Sequence, residues 1–335
     1  MRIIFMGTPD FAVGTLEALH QAGHDICLAV TQPDKPKGRG KAMQEPPVKT
    51  AAKALGIPVF QPLRVRTQEN VSTLASYQAD VIVVIAFGQI LPKSILELTP
   101  YGCINVHASL LPAYRGAAPI QWAILSGESV TGVTTMQMDE GIDTGAMLLK
   151  EGVVISDDDT GASLHDKLAK VGAILCVETL HRLVGEGISA IPQGETTTPY
   201  AKMLTKDMGL IDWGKSAVEI HRWIRGLNSW PGAYTHWDGK VLKIWQSELV
   251  ADEDSNRLMK PEDRLELESE FGLIKEPDVK PGKKPGTVVY KDNHCFWVST
   301  GEGVLSITEV QMPGKKRMET GAFLRGHDLK IETQL

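Results

Sequence analysis

The 335-residue chain has no long apolar run; its longest, Val81-Ile82-Val83-Val84-Ile85-Ala86-Phe87, falls far short of the roughly 20 residues that a membrane helix needs. The N-terminus, Met1-Arg2-Ile3-Ile4-Phe5-Met6-Gly7, enters a strand-like pattern at once, without the basic and apolar tracts of a signal or transit peptide. A cytoplasmic protein with no membrane partner is expected. Cysteine is sparse: Cys27, Cys103, Cys176 and Cys295 are scattered and form no Cys-x-x-Cys pair, which argues against a disulfide framework and a zinc ribbon. His20 and His24 have one-turn spacing but no third ligand nearby, so no metal is expected. Positive charge is also in deficit, with a formal net charge of -6. Residues 252–278 hold ten acidic against four basic side chains and so carry all of that excess. The remainder is balanced, and local basic patches stay possible.

What is present is ordinary globular material. Hydrophobic residues make up 42% of the chain, and the length suggests two domains. The first half alternates strand-like runs (2–6, 26–31, 80–86, 102–107) with helical patterns (11–21, 48–55), the signature of an α/β domain with a mostly parallel sheet. Strands over 133–138 and 146–155 and a long helix over 163–184 follow, and a Pro/Gly/Lys-rich loop is expected over 32–47. Periodicity is lost over 186–208, which reads as a linker after a first domain ending at 185. A helix over 216–226 and about five short strands suggest a small β-barrel over 209–335, with the acidic segment as a surface insertion.

A dinucleotide fold would carry Gly-x-Gly-x-x-Gly after its first strand; here only Gly7 and Gly14 occur, and Pro9 removes a donor from the turn. The informative stretch lies further on. Asn105 and His107 are two apart in a strand and share a face, at the end where open α/β sheets place ligands. Asp143 lies in a glycine-bounded loop between two later strands. An amide donor, an imidazole and a carboxylate suit transfer of an acyl or formyl group to an amine, which needs oxyanion stabilisation and proton removal. Equally, Asn105 can be a turn residue, His107 a core histidine and Asp143 a loop cap. The tryptophans of the second half, Trp213, Trp223, Trp230, Trp237 and Trp245, read mainly as packing rather than base-stacking residues.

Nearly the whole chain resembles the methionyl-tRNA formyltransferase family. The likeness rests on Arg2-Ile3-Ile4-Phe5-Met6-Gly7-Thr8-Pro9-Asp10-Phe11-Ala12, on Phe87-Gly88-Gln89-Ile90-Leu91-Pro92, on Asn105-Val106-His107-Ala108-Ser109-Leu110-Leu111-Pro112 continuing through Tyr114-Arg115-Gly116, and on Met138-Asp139-Glu140-Gly141-Ile142-Asp143-Thr144-Gly145. The Asn-x-His and Asp-Thr-Gly elements are common to folate-dependent formyltransferases and related hydrolases. Ile211-Asp212-Trp213, Arg222-Trp223-Ile224-Arg225-Gly226 and Trp230-Pro231-Gly232-Ala233 resemble the start of the tRNA enzyme's C-terminal domain.

The resemblance implies a Rossmann-like formyltransferase domain over 1–185 and an OB-like tRNA-binding domain over 209–335. It implies 10-formyltetrahydrofolate as formyl donor, without metal, and initiator methionyl-tRNA as acceptor, for a chain expected to act as a monomer. Asn105, His107 and Asp143 become the catalytic trio. Phe87, Gly88, Gln89, Ile90 and Leu91, with Ser109, Leu110, Leu111 and Pro112 and with Asp139, Glu140 and Gly141, become the folate-binding stretches. Lys35, Lys37, Arg39 and Lys41 match a loop that enters the acceptor stem, and Lys283, Lys284, Lys315, Lys316 and Arg317 are further candidate RNA contacts. Rival readings are a formyltetrahydrofolate hydrolase, a sugar-amine formyltransferase and a catalytically inactive RNA-binding protein.

Overall fold

The runs richest in Ile and Val become central strands of one sheet. The computed structural model describes residues 1–37, 42–185, 187–196, 198–250 and 283–335. In chain order the first part contains β1 (Arg2–Gly7), α1 (Val13–Gln21), β2 (Asp25–Val30), β3 (Lys35–Lys37), β4 (Ala42–Gln44), α2 (Pro47–Ala54), β5 (Val59–Phe60), α3 (Gln68–Ser76) and β6 (Val81–Ile85). It continues with α4 (Lys93–Leu96), β7 (Cys103–His107), α5 (Pro119–Ser126), β8 (Val130–Gln137), β9 (Met147–Val154) and α6 (Gly161–Val184). The seven-stranded sheet has the order β5-β2-β1-β6-β7-β8-β9. It is parallel as far as β7, while β8 and β9 join antiparallel. Every residue of β6 is buried, as expected for a strand with helices over both sheet faces.

From β1 the chain builds outward through β2 to β5 and then returns to β6 on the other side, so the order reverses between β1 and β6. Open α/β sheets bind ligands beyond the strand ends at such a reversal. Here Thr8 Oγ1 and Gln32 Nε2 both donate to the Phe87 carbonyl, at 3.0 and 3.1 Å. Gly7 makes the close approach possible: a Cβ there would sit 2.9 Å from Ala12 Cβ and 3.1 Å from the Ile85 carbonyl. The glycine thus serves packing of the turn.

α6 covers the sheet behind β7. Its start is fixed by a capping box in which Thr160 and Ser163 exchange bonds, and by Asp159, which accepts from Ser156 N (2.8 Å), Ser163 Oγ (2.8 Å) and Lys167 Nζ (2.6 Å). Gly172 brings the helix close, since a Cβ there would lie 3.1 Å from Val106 Cγ1. Val106 therefore faces α6, and its neighbours Asn105 and His107 face the other side.

Among the features absent from the sequence expectation, three bear on the site. The loop over 32–47 contains the β3–β4 hairpin, closed at its base by Lys49, which bonds Asp34 (2.8 Å) before β3 and Glu45 (3.3 Å) after β4. α3 has no counterpart in the periodicity reading because it buries only Val71 and Leu74; its start is set by Thr67 accepting from Asn70 N. Finally, the stretch read as a linker is tied to the first unit at described positions: Ile191 exchanges backbone bonds with Met147 at 2.8 Å, and Ala201 N donates to Arg115 O at 2.8 Å.

The chain divides into two units, Met1–Ala123 with Glu128–Met203, and Ile124–Gly127 with Leu204–Leu335. The second contains α7 (Ala217–Gly226), β10 (Ala233–Trp237), β11 (Lys240–Leu249), β12 (Val288–Lys291), β13 (Phe296–Ser299), β14 (Val304–Gln311), β15 (Met318–Glu319) and α8 (Thr320–Gly326). Its antiparallel sheet runs β10-β11-β14-β13-β12, with β15 beside β14. Ile220 and Ile224 of α7, Phe323 of α8 and alternating strand residues such as Leu242, Ile244, Leu305 and Ile307 form its core. The expected acidic insertion over 252–278 lies outside the described residues.

Candidate active site

β7 is the last parallel strand, and its end carries two of the three candidate residues. His107 is buried, and its Nε2 lies 3.1 Å from the Tyr114 carbonyl. A carbonyl only accepts, so Nε2 carries hydrogen and Nδ1 is the atom free for chemistry. That Nδ1 faces Asp143 Oδ1 at 3.7 Å, beyond hydrogen-bond length.

Asp143 has φ +53°, a left-handed conformation that Asp tolerates better than most residues. Its loop is folded by Asp139 Oδ1, which accepts from Gly141 N (3.0 Å) and Thr144 Oγ1 (2.7 Å). A Cβ on Gly145 would overlap the Gln137 carbonyl, so glycine is required there. The carboxylate is aimed by Gly116 N, which donates to Oδ2 at 2.9 Å. Asn105 donates from Nδ2 to the Val84 carbonyl at 3.0 Å, fixing its carboxamide on the neighbouring strand. Its Oδ1 is buried and accepts no hydrogen bond among the described residues, an unmet bond that costs about 1–3 kcal/mol. One Nδ2 hydrogen also remains to donate.

Cys103 shares the strand and parity of Asn105, but burial pushes its thiol up to about 12, so it stays protonated at neutral pH. The site therefore offers an amide, an imidazole and a carboxylate without an activated thiol. Among the described residues no group of three or more His, Cys, Asp or Glu is placed to hold a metal ion.

The candidate folate stretches adopt different roles along the chain. Phe87 and Leu91 pack into a core cluster with Met6 and Ile82. Ile90 is exposed, and Gly88 has φ +84°. Gln89 turns its carboxamide to the 62–65 loop, accepting from Val65 N (2.8 Å) and donating to Pro62 O (3.1 Å). Ser109 Oγ donates to Ala113 O (2.6 Å), Thr134 Oγ1 donates to Ser109 O (2.7 Å), and Leu111 is buried beside Met136 and Met147. Leu110 packs over Gly132 and Pro112 is half-buried. Asp139 and Gly141 shape the Asp143 loop, and Glu140 is exposed beside them.

Among the candidate RNA contacts, Lys35 is exposed at the start of β3, the backbone of Lys37 ends that strand, and Arg39 and Lys41 lie outside the described residues. In the second unit Lys284, Lys315 and Lys316 are exposed. Lys283 pairs with Glu332 at 2.6 Å, and Arg317 pairs with Glu309 while lying 5.2 Å from the Trp245 ring centroid. Trp213 is buried and Trp237 packs edge-on against Phe323, as packing residues do, whereas Trp230 is half exposed.

Three further residues touch the trio's supports, and of these only Arg115 falls in a stretch the sequence marks out. Gln193 donates to the Asp143 and Gly145 carbonyls, Arg115 donates to Gln193, and Thr198 Oγ1 accepts from Tyr114 N at 2.7 Å. Two of them lie in the aperiodic 186–208 stretch, where pattern gives no signal.

Residues 1–180 match the family described as formyl transferase, and residues 203–328 match the formyl transferase C-terminal domain. Methionyl-tRNA formyltransferases of Agathobacter rectalis and Lachnospira eligens are each 51% identical to the chain; the first alignment covers 97% of this chain and 96% of the relative, the second 100% and 99%. Among solved structures, an N-formyltransferase from Helicobacter canadensis superposes with a TM-score of 0.62 at 18% identity, covering 92% of this chain and 98% of that one. A variant of HypX from Aquifex aeolicus gives 0.60 at 16% identity, covering 100% of this chain and 51% of that one. These two likenesses concern the fold, whereas the sequence matches span both parts of the chain at high identity. On those matches the chain belongs to the methionyl-tRNA formyltransferase family.

Proposed function

We propose that the chain transfers the formyl group of 10-formyltetrahydrofolate to the amino group of methionine on initiator methionyl-tRNA, with Asn105, His107 and Asp143 as its catalytic residues. The observation that carries this reading is the arrangement of His107, pinned through Nε2 to the Tyr114 carbonyl with Nδ1 turned to Asp143. The neutral amine attacks the formyl carbon, and negative charge develops on the formyl oxygen. The free Nδ2 hydrogen of Asn105 stabilises that charge, joined by His107 Nδ1 once it has taken up the proton of the amine. Asn105 Oδ1 accepts a hydrogen of the attacking amine. As the C–N bond to the folate breaks, the proton lost by the amine reaches the departing folate nitrogen through His107 and Asp143, so one N–H is consumed and one formed.

The stretches around Phe87–Leu91, Ser109–Pro112 and Asp139–Gly141 hold the folate, whose ring is read by backbone groups and apolar side chains. Lys35, Lys37, Arg39, Lys41, Lys283, Lys284, Lys315, Lys316 and Arg317 contact the RNA backbone. We take the enzyme to act in the cytoplasm, as a monomer and without metal. The test is formyl transfer from 10-formyltetrahydrofolate with initiator methionyl-tRNA, elongator methionyl-tRNA and free methionine as parallel acceptors. Transfer to the initiator alone supports the reading; release of formate with no acylated acceptor overturns it in favour of a hydrolase.

A further inference from the structure

We infer that Gln193 is a positioning residue for this reaction, holding the Asp143 loop through its carboxamide; the inference rests on the reading of Asp143 proposed above. Apart from a 3.9 Å contact of Nε2 with Met136 Sδ in β8, the hydrogen bonds of that carboxamide converge on one loop and one arginine. Nε2 donates to the carbonyls of Asp143 (2.9 Å) and Gly145 (2.7 Å), and Oε1 accepts from Arg115 Nε (2.8 Å). Arg115 Nη2 in turn donates to Gly194 O (3.0 Å). Gly116, covalently next to Arg115, donates its N–H to Asp143 Oδ2 (2.9 Å). A closed circuit results: Gln193, the Asp143 backbone, the Asp143 carboxylate, Gly116, Arg115, and back to Gln193.

Each link acts on the carboxylate from a different side. Two carbonyls two residues apart are gripped by one amide, which fixes the curvature of the loop and with it the left-handed backbone of Asp143. Gly116 sets the direction of the carboxylate, and Arg115 keeps Gln193 and Gly116 at a fixed spacing. Gln193 itself is placed by Ile191, whose backbone is paired with Met147 at the start of β9. A carboxamide does not titrate, so this grip is independent of pH while the groups it positions exchange protons. Displacement of a catalytic group by about 1 Å can cost about 100-fold in rate.

Gln193→Glu isolates the effect, because a carboxylate still accepts from Arg115 but cannot donate to the two carbonyls. Its kcat for formyl transfer is expected to fall 10- to 100-fold, with KM for 10-formyltetrahydrofolate and Kd for the tRNA changing less than threefold. In an Asp143→Asn background the same substitution should cost less than threefold, since residues acting as a unit are not additive. Gln193→Asn, which keeps the amide on a shorter stem, serves as a second variant if Gln193→Glu does not fold, with a kcat-only loss expected. Unchanged kcat in both variants, or an equal loss with and without Asp143, overturns the inference. Wild type run in the same assay keeps the two claims apart: its failure to formylate methionyl-tRNA overturns the proposed function itself.

Discussion

His107 and Asp143 face each other with Nδ1 and Oδ1 3.7 Å apart, and each is anchored on its far side by the same short loop: His107 Nε2 bonds Tyr114 O at 3.1 Å, and Asp143 Oδ2 accepts from Gly116 N at 2.9 Å. Their separation is therefore set by residues 114–116. Asp143→Asn keeps an acceptor for Gly116 but removes the negative charge that faces the imidazole. Single-turnover formyl transfer should slow by about 100- to 10,000-fold, the usual range for a general acid or base, while RNA affinity stays unchanged.

Gly145→Ala should damage the same loop sterically. The added methyl would overlap the Gln137 carbonyl, which belongs to β8 and cannot move aside freely. Formyl transfer should fall by at least about 100-fold, with a smaller proportional loss of folding stability, read by comparing kcat with the midpoint of urea unfolding.

The hairpin base should be sensitive to pH at both extremes. Hydrogen bonds from Lys49, then Gln61, hold the Asp34 carboxyl below its ordinary value; Lys53 does most of the same for Glu45; and Asp34 raises the Lys49 ammonium. Depressed carboxylates stabilise above their unfolded pKa and lose that contribution as pH falls through their folded pKa. A raised lysine stabilises below its unfolded pKa and loses its contribution as pH rises through its folded pKa. Hydrogen-exchange protection factors in β3 and β4 should thus be highest between about pH 5 and 10, and Lys49→Met should remove most of that protection.

At the start of α6, burial works against ionisation of Asp159, but Lys167, Ser156 N–H and Ser163 together leave its pKa below the ordinary value. Its contribution to stability is present above that ordinary value and is lost as pH falls through the folded one. Asp159→Ala should reduce unfolding stability by about 1–3 kcal/mol at pH 7, with a smaller difference from wild type at pH 3, measured by urea titration.

RNA binding should distinguish free from paired cations. Among the described residues Lys315 and Lys316 are exposed and make no ion pair, whereas Lys283 and Arg317 already face Glu332 and Glu309. If a lysine contacts phosphate, Lys→Ala should lower the slope of log affinity against log salt by about 0.9. We expect that change for Lys315 and Lys316 and less for Lys283 and Arg317, by titration of labelled tRNA across salt concentrations.

Much of this architecture was legible because burial on two faces leaves a dense signature. The run 81–85 predicts a central strand and is one, and the parity of Asn105 and His107 predicts a shared face. The nearness of Asp143 could not be derived from spacing, since a loop 36 residues beyond His107 has no fixed position until β8 and β9 add to the sheet; there the family resemblance supplied what periodicity could not. α3 and the β3–β4 hairpin escaped because polar residues dominate them and ion pairs, rather than an apolar stripe, fix the hairpin base. Gln193 and Thr198 were invisible for a related reason: they act through side-chain hydrogen bonds from an aperiodic segment.

The role of His107 is tested by single-turnover formyl transfer from 10-formyltetrahydrofolate to charged initiator tRNA by wild type and His107→Ala, with tRNA affinity measured on the same samples. Wild type should transfer the formyl group, and the variant should do so about 100- to 10,000-fold more slowly, at unchanged affinity. A variant that retains its rate, or whose loss of rate is matched by an equal loss of tRNA binding, would contradict that role.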